Sequence, residues 1–142
     1  ETGFDERPVS GRSAPLGFDL HVTREGHEAV GRLTLGPAHE GAPHRSHGGM
    51  VSALLDDMFG FILTIEEQAG FTGELTVRYE AGTPIGTPLE CRVRMVEREG
   101  RKLHMTGEVT LDGDPSTVFA RGTAVFIAID AERFRRLNTP DA

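Results

Sequence analysis

His47-Gly48-Gly49-Met50-Val51-Ser52-Ala53-Leu54-Leu55-Asp56-Asp57 decides the fold: a histidine and two glycines open an apolar helix that carries two carboxylates near its middle. An ionised carboxylate buried without a partner is costly enough that its pKa usually moves instead, so acids in the core helix of a small domain call for an explanation, and chemistry is one candidate. The pattern predicts a helix from about Gly49 to Gln68, too apolar all round to lie on an open surface. Something has to wrap it.

Strand patterns on both sides supply the wrapping. Upstream, Phe18, Leu20 and Val22 alternate with Asp19, His21 and Thr23. Beyond Glu25-Gly26, Ala29, Gly31, Leu33 and Leu35 repeat the period of two, which predicts a hairpin. A loop rich in glycine, proline and histidine, Gly36 to His47, delivers the chain to the helix. Downstream, Thr72 to Ala81 places Leu75, Val77 and Tyr79 on one face and Glu74, Thr76, Arg78 and Glu80 on the other, with a turn at Gly82 to Pro88. Leu89, Cys91, Val93 and Met95 form a further strand. A charged turn at Glu97 to Lys102 leads to Leu103, Met105, Gly107 and Val109, and Asp112-Gly113 turns again into a long strand, Thr117 to Ile129. Ala131 to Leu137 reads as a short terminal helix.

Two strands, one helix and four consecutive antiparallel strands make an α+β domain. A curved sheet of about six strands folded around a single central helix meets the demand for wrapping; this is the hotdog arrangement. The sheet's remaining edge or face would favour pairing with a second copy. Residues 1–14 read as a loose arm, 15–137 as one domain and 138–142 as a tail.

Composition narrows the partners. With 15 Lys plus Arg against 22 Asp plus Glu in 142 residues, the net charge of -7 repels polyanions and argues against nucleic acid or acidic membrane surfaces. The longest apolar tract, Met50 to Leu63, is interrupted by polar residues and falls short of the roughly 20 residues that span a bilayer, so no membrane helix is expected. Nothing near Glu1 resembles a basic-then-apolar signal segment. The single cysteine, Cys91, excludes an intramolecular disulfide framework and fits a reducing compartment; cytoplasm is the expectation.

On a helix, Gly49, Ser52, Asp56 and Gly60 fall on one small, polar stripe, bordered by Ala53 and Leu63. Gly60 costs the helix about 1 kcal/mol relative to Ala, which a close ligand or a close strand would explain equally well. Gly48 and Gly49 stand where the first amides are unpaired, an end that stabilises an oxyanion; the alternative is a tight turn needing positive φ. Gly48 and Asp56 are roughly 12 Å apart along the axis, so one carbonyl cannot touch both on a single helix. If the amide polarises a carbonyl that Asp56 also acts on, two helices are required, and a symmetric dimer with two composite sites follows.

The run from His47 to Asp56, followed by Thr72-Gly73-Glu74-Leu75-Thr76-Val77-Arg78-Tyr79, resembles the hotdog-fold acyl-CoA thioesterases of the phenylacetate and 4-hydroxybenzoyl-CoA type, over most of residues 15–129. The resemblance implies that the Gly48 amide polarises the thioester carbonyl and that Asp56 of the other subunit is general base or nucleophile. It also implies that Thr72 helps hold the attacking water, and that His47 orients the loop or the thioester. Gly49, Ser52, Gly60 and His44 are the candidate substrate contacts. The implied assembly is a homodimer or a dimer of dimers acting on acyl-CoA, without cofactor or metal. Many relatives carry an Asn shortly before the glycine pair. Here the loop reads Glu40 to Ser46, the chain's only Asn is Asn138, and His44 or Ser46 is the substitute on offer.

His39, His44 and His47 with Glu40 admit a metal reading, but the loop spacing is not a zinc pattern. Cys91 sits on an alternating strand as a packed residue, and there is no Gly-x-Ser-x-Gly elbow. Arg45, Arg78, Arg98, Arg101 and Lys102 are candidate phosphate contacts, with solvated surface charge as the plainer reading. Met50, Phe59, Phe61, Ile62 and Leu63 offer apolar volume for a medium-chain or aromatic acyl group. Two readings compete with hydrolysis: a non-catalytic acyl-CoA-binding sensor, and a hydratase, whose His and Asp usually come in another order.

Overall fold

The computed structural model describes residues 19–130 and 132. The arm at 1–14, the tail at 138–142 and all but Glu132 of the expected terminal helix at 131–137 lie outside the described residues. Within them the order is β1 (His21–Glu25), β2 (Glu28–Thr34), a 3-10 turn at Pro37–His39, α1 (Gly48–Ile65), β3 (Gly70–Tyr79), β4 (Pro88–Glu99), β5 (Lys102–Leu111) and β6 (Asp114–Ala128). The strands form one antiparallel sheet in the order β1-β2-β4-β5-β6-β3. The expected six-stranded hotdog arrangement around one helix is the one observed.

α1 buries Val51, Leu54, Leu55, Met58, Phe59, Phe61 and Ile62, spaced three and four apart so that they share one broad stripe. Inward residues of β2, β4, β5 and β6 close over it, among them Leu33, Leu89, Val93, Leu103, Met105 and Phe126. Each large apolar side chain taken from water contributes about 1.5–3 kcal/mol, and this burial is what seats the helix. By length and apolarity alone α1 could cross a bilayer, contrary to the expectation from tract length; its apolar stripe is packed against the sheet. The sheet is thinned beneath the helix. A Cβ at Gly31 would lie 2.8 Å from the Met58 sulfur, and one at Gly122 3.1 Å from Leu55 Cδ1.

Three expectations are corrected. The helix ends at Ile65, with Glu66 as C-cap and Glu67 in the left-handed region (φ 52°), so Gln68 is outside it. Gln68 instead donates from its side chain to the Ala69 and Ile129 carbonyls. The expected charged turn at Glu97 to Lys102 is strand up to Glu99 and again from Lys102, leaving only Gly100 and Arg101 to turn. Most consequentially, Gly82 to Pro88 is no hairpin turn: β3 pairs with β6 at the sheet's edge, while β4 lies between β2 and β5. The segment therefore carries the chain across the sheet, and β3 is left with one unpaired side.

α1 is also not wrapped all round. Gly49 is exposed, and Ser52, Ala53, Asp56, Asp57 and Gly60 remain half-buried, so the polar stripe lies open beside β3.

Candidate active site

The helix start is built by three side-chain fits. His47 is the N-cap, in extended backbone (φ -61°, ψ 134°), and its Nδ1 accepts the Gly49 N–H at 2.9 Å. That bond requires a neutral imidazole protonated on Nε2. A Cβ at Gly49 would lie 3.1 Å from Nδ1, so any side chain there presses on the cap. A Cβ at Gly48 would meet the Tyr79 ring at 3.4 Å. Neither glycine has positive φ, which removes the tight-turn explanation. The Met50 and Val51 amides return to the His47 carbonyl. Among the described residues, Gly48 N–H alone of the helix's first amides has no acceptor.

Asp56 lies about two turns further on, where Thr72 Oγ1 donates to its Oδ1 at 2.8 Å. This is the only hydrogen bond to Asp56 among the described residues, so Oδ2 is open. Strict alternation would have put Thr72 with Glu74 and Thr76, facing away from the helix. A β-bulge between Thr72 and Glu74 reverses the parity: Thr72 pairs with Phe126 and Leu75 with Ala124, both on the inward face. The bulge sits at Gly73, where a Cβ would meet Ile127 Cγ1 at 3.0 Å and the Val125 carbonyl at 3.2 Å. Thr72 was expected to hold water; here its proton goes to the carboxylate, which it orients, and its oxygen keeps acceptor capacity.

The sequence reading missed Tyr79 as a site residue. Its hydroxyl donates to the Gly48 carbonyl at 2.7 Å and lies 2.6 Å from Ser52 Oγ. With Tyr79's single proton given to Gly48, Ser52 is the donor in the second bond, so the Ser52 hydroxyl proton is committed within the protein. The available signal was the inward parity of Tyr79 with Leu75 and Val77.

Other candidates stand apart. His44 is exposed in the left-handed region (φ 63°), its N–H held by the Glu40 carboxylate at 2.7 Å. Its imidazole makes no bond or ion pair among the described residues. Ser46 Oγ donates to the His47 carbonyl at 3.3 Å. Gly60 is half-buried on the open stripe. His39 is buried and accepts the Gly36 N–H on Nδ1, so His39 and His47 hold separate backbone groups while the His44 ring holds none among the described residues. Among the described residues no cluster of three potential ligands forms. Arg78 and Arg121 share Glu80, whereas Arg101 and Lys102 carry no ion pair among the described residues. Phe59, Phe61 and Ile62 belong to the chain's own core, which leaves Met50 and Leu63 as the half-buried apolar residues of the five expected. Burial, reinforced by Glu108 and Glu90, pushes the Cys91 thiol far above its ordinary range, so it is no nucleophile.

A sheet closed over one helix defines a hotdog domain, here with an open amide at the helix start and an oriented carboxylate on the uncovered stripe. The chain belongs to the thioesterase superfamily, whose sequence signature matches residues 45–118. It is similar to the acyl-coenzyme A thioesterase THEM5 of Mus musculus (29% identity, 68% of this chain, 39% of that protein). It is also similar to the acyl-coenzyme A thioesterase THEM4 of Bos taurus (26%, 83% and 49%). The chain thus spans about two-fifths to a half of these relatives. Among solved structures it resembles a thioesterase superfamily protein (28% identity, TM-score 0.78, 85% of this chain and 62% of that one). The fold is shared with a hypothetical thioesterase from Streptococcus pneumoniae TIGR4 solved with coenzyme A (14%, TM-score 0.72, 79% and 88%).

Proposed function

We propose that the protein hydrolyses acyl-coenzyme A thioesters in a homodimer, at sites where the Gly48 amide of one protomer faces Asp56 of the other. The carrying observation is the division of labour on α1: one helix-start amide without an acceptor, and one carboxylate oriented on Oδ1 and open on Oδ2. Water attacks the thioester carbonyl carbon while Asp56 Oδ2 takes its proton. The oxyanion that forms is held by the Gly48 N–H and the positive end of the helix. The C–S bond then breaks, the coenzyme A thiolate takes the proton from Asp56, and the free acid leaves. A nucleophilic route through Oδ2 would use the same atoms. The mammalian acyl-coenzyme A thioesterases to which the chain is similar support the substrate class.

The dimer is supported by the open stripe and by β3, an edge strand of ten residues with its outer side unpaired and Phe71 and Tyr79 half-exposed upon it. Met50 and Leu63 at the margins of the stripe suit a medium-chain or aromatic acyl group, and cytoplasm is the proposed compartment. The test is free-thiol release across acyl-CoAs of varied length and aromaticity, in wild type and Asp56→Ala. Turnover in wild type, lowered about 10²–10⁴-fold in a folded, dimeric variant, is expected. Binding without turnover across the panel would replace this reading with the sensor.

A further inference from the structure

We propose that Tyr79 is a positioning residue of this site: it fixes the direction of the Gly48 N–H by clamping the next peptide unit, an inference that rests on the thioesterase reading. Glycine has the widest backbone freedom of any residue, so the Gly48 amide, whose own peptide unit is held where the Met50 and Val51 amides reach the His47 carbonyl, gains no further restraint from a side chain of its own. The Gly48–Gly49 peptide is held at both poles. Its N–H, on Gly49, is given to His47 Nδ1 at 2.9 Å, and its carbonyl, on Gly48, accepts the Tyr79 hydroxyl at 2.7 Å. With that plane fixed, rotation about the Gly48 Cα is restrained and the preceding amide is aimed.

Ser52 completes the device. Its hydroxyl donates to the Tyr79 oxygen, which donates to the Gly48 carbonyl, giving a directional chain in which each bond polarises the next. The chain starts at the second turn of α1, ends on its first residue and passes through the far end of β3, the strand whose other end carries Thr72. One strand therefore orients the carboxylate with a threonine and the amide with a tyrosine. Preorganised donors lose catalytic value when misaimed, even where binding is retained.

The experiment is Tyr79→Phe, which keeps the ring against Gly48 and removes only the hydroxyl, with Ser52→Ala beside it. Tyr79→Phe should lower kcat about tenfold, the scale of one hydrogen bond, with KM, melting temperature and dimerisation held. It should also shift the Gly48 and Gly49 amide resonances. Ser52→Ala, which leaves the Tyr79 to Gly48 bond in place, should lose less. A wild-type kcat in Tyr79→Phe overturns the proposal, as do unshifted amides or a loss confined to KM and thermal stability. Absence of turnover in the wild type would refute the thioesterase reading; the amide resonances then decide the clamp on their own.

Discussion

Asp56, the carboxylate of the proposed site, is only half-buried within its own chain. The sequence suggests an acid locked in a core; the structure shows one half-open on the helix's uncovered side, held by a single hydroxyl. Thr72→Ala should therefore leave the fold intact and lower kcat about tenfold, with Thr72→Ser recovering most of it, because the bond needs only a hydroxyl. Equal activity in all three proteins would show that Asp56 needs no orienting partner. Cys91 gives the opposite case, a thiol closed off by packing. It should resist iodoacetamide in the folded protein and react once unfolded, as mass measurement of the labelled protein would show. The place of Asp56 on the helix's polar stripe was legible from periodicity, and that of Gly48 at the helix start from the glycine pair that opens the apolar run. Thr72 was placed by the resemblance and not by its alternation, since a single bulge reverses which residues face inward. Tyr79 was legible as inward-facing but not as a hydrogen-bond donor, because its partners are 27 and 31 residues away.

At the scale of elements, α1 was readable from end to end within a few residues, whereas the place of β3 was not. Alternation reports which face of a strand is buried and says nothing about its neighbour, and local hairpins are the default guess for consecutive strands. The helix start offers a test in which two magnitudes oppose. Gly49→Ala gains about 1 kcal/mol of helix propensity. It crowds the His47 cap, whose loss costs about as much. The melting temperature should stay within a few degrees while kcat falls, because the displaced imidazole releases one pole of the Gly48–Gly49 peptide. A large gain in stability with full activity would show that the cap tolerates the methyl group. At the β5–β6 hairpin, hydrogen bonds from the Ser116 and Thr117 hydroxyls and the Ser116 amide hold the Asp114 carboxyl below its usual range. A depressed carboxylate stabilises the folded turn above its unfolded pKa, and the contribution is lost as pH falls through the folded value. Exchange of the Ser116 amide, corrected for its intrinsic pH dependence, should rise on acidification in wild type and not in Asp114→Asn.

At the scale of the molecule, one chain holds both halves of the proposed site but cannot bring them to one carbon, because roughly 12 Å of helix separates Gly48 from Asp56. The unpaired edge of β3 and the open stripe beside it lie on the same side, so a twofold joining along β3 would turn each stripe toward its twin. This arrangement can be tested by complementation. Gly48 is the first helical residue and His47 already has the extended backbone a following proline demands, so Gly48→Pro should remove the amide and leave the helix in place. Asp56→Asn and Gly48→Pro should each be nearly inactive alone. Unfolded together in equal amounts and refolded, about half the dimers would be mixed, each with one intact site, restoring roughly a quarter of wild-type activity. Each parent refolded alone should stay inactive. If the mixture recovers nothing while mixed dimers are present by native mass, both groups serve the same protomer's site and the composite centre is wrong.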